Sequence, residues 1–176
     1  MKPEDGYFML HNLNNRTHSR SVVWYLLPLL LWIVIIILLS FQPYSQQSVQ
    51  PWLKSHFTPQ QLADRLPDVT IHYLGSEVAA KKRPYTFVEF FVRKGAHLFV
   101  YSVLAVLSYL FVTPFFRRVA WKMIAALFAV MLVGGLDEWN QSFTIARTGA
   151  VQDIGIDLLG AGMVLLLVIL FERRRR

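Results

Sequence analysis

Residues 22–39 read VVWYLLPLLLWIVIIILL, an apolar stretch without one charged side chain. A helix rises 1.5 Å per residue, so crossing a hydrocarbon core of roughly 30 Å takes about 20 mostly apolar residues. With Ser21 and Ser40 at its ends the run fits, and a proline such as Pro28 is tolerated within a membrane helix. A secretory signal would have a shorter apolar core and a small-residue cleavage site. Neither is evident, so the stretch reads as a retained anchor. Three further spans follow, at about Val92–Thr113, Val119–Glu138 and Asp153–Phe171, the second ended by Pro114 and the last closed by Glu172 and Arg173–Arg176.

Composition agrees. Of 176 residues, 55% are hydrophobic and only 16% charged, against roughly 25% charged in soluble domains. There is no cysteine, which excludes disulfides, thiolate metal sites and thiol nucleophiles. The net charge of +7 is carried largely by Arg173–Arg176 and by residues flanking the apolar runs. That pattern belongs to a membrane protein rather than to a nucleic-acid binder. The fold class expected is an all-α membrane protein with four transmembrane helices. Residues 1–20 form an N-terminal cytoplasmic segment, 21–40 the first span and 41–90 an extracytoplasmic loop of 50 residues. Residues 91–176 hold the remaining helices and a basic cytoplasmic tail. The short turn at Arg117 and Arg118 and the C-terminal arginines place both termini in the cytoplasm, although Arg93 and Lys94 weigh against this.

The loop has signals of its own. Thr58-Pro59-Gln60-Gln61 is a capping box with proline at the first helical position, so a helix should start there and stop near Leu66, before Pro67. Val69–Tyr73 alternates and reads as a strand bounded by Gly75. Trp52, Phe57, Tyr73, Tyr85 and Phe87 suit a headgroup layer, which makes a segment lying on the membrane surface the expected arrangement, with a partner-binding cap as the alternative.

Antiparallel spans bring the start of the second, the end of the third and the start of the fourth to one membrane face. Every unusual polar residue lies there. Lys94, His97 and Tyr101 sit at i, i+3 and i+7 on one helical stripe beside Arg93. The third span ends in DEWNQ, which supplies Asp137, Glu138 and Gln141. The following loop supplies Arg147, and the fourth span supplies Asp153 and Asp157, with Gly160 continuing their stripe. Ionisable residues within spans face a bundle interior or a wet cavity, because facing lipid costs about 2.5–3.5 kcal/mol at the helix centre. Asp157 therefore needs a partner among His97, Lys94 and Arg147.

Two readings of this cluster compete. It is either a charge network stapling three helices or a pocket for a polar or anionic ligand, with Arg93, Lys94, Tyr101, Asp137, Gln141, Arg147, Asp153 and Asp157 as binding residues. If catalytic, His97 and Glu138 are the acid–base pair. No HExxH or comparable spacing is present, so neither metal nor cofactor is expected. Nucleophilic serine catalysis has no supporting arrangement, and acidic residues at only one end of the bundle argue against a transporter.

These residues together resemble the VanZ-like family of bacterial membrane proteins. The resemblance is carried by FQPYSQQ at residues 41–47, by Arg93, Lys94, His97 and Tyr101, and by Asp137, Glu138, Gln141 and Phe143. Arg147 and the Asp153, Asp157, Gly160 stretch complete it. Residues 48–90 carry no part of it. It implies a multi-pass protein of the bacterial cytoplasmic membrane, associated in its namesake with resistance to teicoplanin-type glycopeptides. Expected partners are membrane lipids and a headgroup, cell-wall precursor or lipoglycopeptide. The alternative is a membrane enzyme acting on a lipid or cell-wall precursor at the outer leaflet.

Overall fold

The computed structural model describes residues 3–73, 75–143 and 151–174, with side chains described from residue 22 onward and from residue 152 in the last segment. Its long helices are α1 (Pro3–Ser40), α5 (Pro84–Val112), α6 (Val119–Ser142) and α7 (Val151–Arg174). Between the first two lie α2 (Tyr44–Gln47), α3 (Gln50–His56) and α4 (Pro59–Arg65), then strands β1 (Thr70–Tyr73) and β2 (Ser76–Ala79). Val22–Ser40, Pro84–Val112, Val119–Ser142 and Gln152–Arg174 are each long and apolar enough to cross a membrane. The chain is a helical, multi-pass membrane protein.

One expectation is corrected here. Residues 41–90 are not a loop of 50 residues. The second long helix begins at Pro84, where a ring with fixed φ and no N–H suits the first helical position. The residues before it form three short helices and an antiparallel hairpin. Thr58 closes the capping box as read: its hydroxyl accepts from the Gln61 amide at 3.3 Å, and Gln61 Oε1 accepts from the Thr58 amide at 3.0 Å. The strand signal also holds, as β1, paired Thr70↔Ala79 through Tyr73↔Ser76. Gly75 takes φ +74° in the tight turn between the strands, a conformation that suits a residue without Cβ. The partner strand, SEVA, carries no alternation and was invisible to a period-two reading. Val78, Ala80 and Phe87 form a small separate core beneath the hairpin.

Helix α5 is the hub, packing against α1, α6 and α7. Tyr101, Leu104, Ala105, Tyr109, Ala126, Val130, Ala161 and Leu165 fill the bundle core. Large apolar side chains such as Trp24, Leu31, Phe128, Trp139 and Leu167 point outward, as lipid-facing positions must. Gly160 sets the α5–α7 distance. A Cβ there would lie 2.9 Å from Leu98 Cδ2 and 3.0 Å from the Leu98 carbonyl oxygen, so the small residue permits close helix approach.

Candidate functional site

The stripe on α5 meets three separate carboxylates. Lys94 Nζ donates to Asp153 Oδ1 on α7, in an ion pair whose two side chains are both largely shielded from solvent. One turn deeper, His97 Nδ1 lies 3.2 Å from Asp157 Oδ1 on the same helix α7. A further turn down, Tyr101 Oη donates at 2.9 Å to Asp137 Oδ2 on α6, which also accepts from Gln141 Nε2 at 2.9 Å. The i, i+3, i+7 spacing and the Asp153–Asp157 spacing put facing residues at matching depth, so each rung pairs a donor with an acid.

Burial fixes the character of these pairs. Asp157 is 0% exposed and Glu138 5% exposed. With Asp157 ionised, the hydrogen bond requires the proton of His97 on Nδ1, which leaves the Nε2 lone pair available. Asp157 Oδ2 and Asp137 Oδ1 are buried and accept no hydrogen bond from the described residues. Gly134 makes room for this arrangement, since a Cβ there would sit 3.2 Å from Asp157 Oδ2 and 3.6 Å from the Tyr101 ring.

Three features had no adequate signal in the sequence. Tyr73, read only as an interfacial aromatic, reaches from β1 to donate its hydroxyl to Asp153 Oδ1, and Lys94 Nζ sits 4.4 Å from its ring centroid. Burial, then the hydrogen bond and charge of Asp153, push the Tyr73 phenol above its ordinary pKa of 10.0. Glu89, 3% exposed, accepts from Tyr44 Oη and from Gln50 Nε2, both at 2.6 Å. Burial and then the Glu89 hydrogen bond raise the Tyr44 pKa likewise. Thirdly, Gln42, Gln46 and Gln47 of the FQPYSQQ stretch line a cavity at the site. The stretch marked the region, but nothing local said that its amides would face the second span.

That cavity measures about 360 Å³ and lies between α1, the α2 connection, α5 and α6. Ile36, Leu39, Val92 and Val100 give it an apolar wall; Arg93, His97, Tyr101, Asp137 and Gln141 give it a polar end. Arg93 also lies 5.4 Å from the centroid of the Tyr44 ring. The expected binding residues thus divide. Arg93, Tyr101, Asp137 and Gln141 line the cavity with His97, whereas Lys94, Asp153 and Asp157 form the network behind it. Arg147 lies outside the described residues.

The structure also groups residues that no linear motif would have joined. One donor atom each of His97, Glu138 and Asp153 lie within 4.8 Å of one another, from three different helices. An imidazole with two carboxylates could hold a divalent ion or move a proton.

No curated protein and no solved structure matches the chain. A family model described as VanZ/LLP1 matches residues 25–172, a stretch that runs from within the first span to near the end of the last and takes in every site residue above. The chain belongs to the VanZ/LLP1 family.

Proposed function

We propose that this VanZ-like protein binds an anionic amphiphile from the outer leaflet of the cytoplasmic membrane, with both termini in the cytoplasm. The observation that carries the reading is the cavity. It joins an apolar wall, continuous with lipid-facing residues of α1, to a cation and several amides at one end. Arg93 can hold a phosphate or carboxylate through two parallel N–H bonds, and the Gln42 and Gln46 amides can donate as well. Pockets for drug-sized ligands occupy about 300–1,000 Å³. At about 360 Å³, this one suits a headgroup and its first carbons better than a whole lipoglycopeptide. Any contribution to teicoplanin-type resistance would then come from altering the lipid or precursor that the drug meets at the cell envelope.

The test is native mass spectrometry of the protein released gently from membranes. Wild type should retain an anionic lipid that Arg93→Gln loses while staying folded. Equal retention of anionic and zwitterionic lipid by both proteins would refute the reading.

A second reading, a membrane enzyme on the same ligand, is favoured by the buried Asp157 that holds His97 beside Glu138. Such an arrangement orients an imidazole for general-base work. His97→Gln separates the two readings: a binder keeps its lipid and part of its effect, whereas an enzyme keeps its lipid and loses all turnover.

A further inference from the structure

Glu89, in the second turn of α5, is buried outside both the acid network and the cavity wall. Its Oε2 accepts at 2.6 Å from the Tyr44 hydroxyl of α2 and at 2.6 Å from the Gln50 amide of α3. Arg93 follows four residues later, on the same face of α5. Its guanidinium carbon lies over the Tyr44 ring, 5.4 Å from the centroid. Tyr44 is therefore gripped twice, at its hydroxyl by Glu89 and on its ring by Arg93. It belongs to the FQPYSQQ stretch, whose Gln42 and Gln46 line the cavity together with Arg93.

Arg93 has donors to spare. Among the described residues its guanidinium enters no ion pair and donates no hydrogen bond, and its partners are the Tyr44 ring and, through space, the charge of Glu89. A cation within about 6 Å of a ring centroid is attracted by the ring face. A guanidinium held by its face keeps its five in-plane N–H donors for another acceptor. A long side chain that is not pre-set in this way loses rotamer freedom when it takes a ligand, and affinity falls.

We propose that Tyr44 and Glu89 set the specificity of the anion site: the Tyr44 ring holds the Arg93 guanidinium at the cavity, while Glu89 fixes the Tyr44 hydroxyl and tempers the charge of Arg93. The inference rests on the proposed role of Arg93 as the anion holder. Tyr44 and Glu89 are positioning residues that act through Arg93, and losing them has opposite effects. Without the ring, Arg93 is no longer pre-set and binds an anion less well. Glu89→Gln keeps an acceptor for the Tyr44 hydroxyl but removes the competing charge, so Arg93 attracts an anion more strongly. A segment that only tied α2 and α3 to α5 would instead lower stability and the binding of every lipid together.

The test measures the melting temperature of the full chain in detergent, alone and titrated with phosphatidylglycerol or phosphatidylcholine. Tyr44→Phe keeps the ring and loses the hydroxyl; it should melt lower without lipid and keep the wild-type preference for phosphatidylglycerol. Tyr44→Leu should bind phosphatidylglycerol about threefold or more weakly, as loss of a cation–π contact implies, with phosphatidylcholine unaffected. Glu89→Gln should melt lower without lipid and yet bind phosphatidylglycerol about twofold or more tightly. An undiminished preference in Tyr44→Leu, a parallel loss of both lipids, or weaker phosphatidylglycerol binding by Glu89→Gln would overturn the inference. Should Tyr44→Leu not fold, the direction of the Glu89→Gln change decides alone. A wild type without the phosphatidylglycerol response, or an Arg93→Gln protein that keeps it, would remove the proposed function and this inference with it. If Arg93→Gln loses the response while Tyr44→Leu and Glu89→Gln behave as wild type, only the present inference fails.

Discussion

At the scale of single residues, the site is a set of acids, most of them buried, each bonded to a donor on another element, and this sets the cost of losing each partner. Asp157→Leu leaves His97 buried without its acceptor. Breaking a buried pair costs about 3–5 kcal/mol in soluble proteins, whereas Asp68 is exposed. Asp157→Leu should therefore lower the melting temperature in detergent clearly more than Asp68→Leu; equal small effects would mean that Asp157 is solvated. Glu138→Gln conserves shape and removes one charge. It should leave abundance and melting temperature near wild type while changing glycopeptide susceptibility or another envelope phenotype. If instead every inactive substitution at His97, Glu138 and Gln141 also unfolds the protein, the residues act as a staple and the pocket reading fails. Gly160→Ala tests packing alone. Its Cβ would meet the Leu98 carbonyl oxygen at 3.0 Å, and overpacking of this kind costs about 1–3 kcal/mol.

At the scale of elements, the α2–β2 segment covers the polar end of the bundle instead of lying apart from it. Tyr73 is the clearest tie, bonded to Asp153 across 80 positions of sequence. Its phenol is held neutral because burial and Asp153 raise its pKa above 10.0. A raised folded-state pKa gives stability that is complete below the unfolded value and is lost as pH rises through the folded one. Wild type should therefore lose stability above about pH 10. Tyr73→Phe should melt at a lower temperature at pH 8 and show a shallower decline above pH 10. Thermal melts of both proteins from pH 8 to 11 measure this, and parallel curves would mean that the contact contributes nothing.

At the scale of the whole molecule, what could be read in advance was whatever repeats with the helix. The spans were legible from unbroken apolar length, and the Lys94–His97–Tyr101 stripe from its spacing. Antiparallel order then brought Asp137, Asp153 and Asp157 to the same end. The capping box at Thr58 was legible because all its parts lie within four residues. Tyr73, Glu89 and the Gln42, Gln46 and Gln47 amides were not, because their roles arise from contacts with chain far away in sequence. The His97, Glu138 and Asp153 group shows the same limit: residues brought together from three helices have no linear spacing to find.

The central claim, that the cavity receives an anionic amphiphile through Arg93, is tested most directly by thermal stabilisation of the full chain in detergent on adding phosphatidylglycerol or phosphatidylcholine. A ligand bound only by the folded state raises stability by RT ln(1 + [L]/Kd). Phosphatidylglycerol should raise the melting temperature of wild type in a saturable way, and Arg93→Gln should lose that rise while keeping its own unliganded melting temperature. Equal stabilisation by both lipids, or an undiminished rise in Arg93→Gln, would contradict the account.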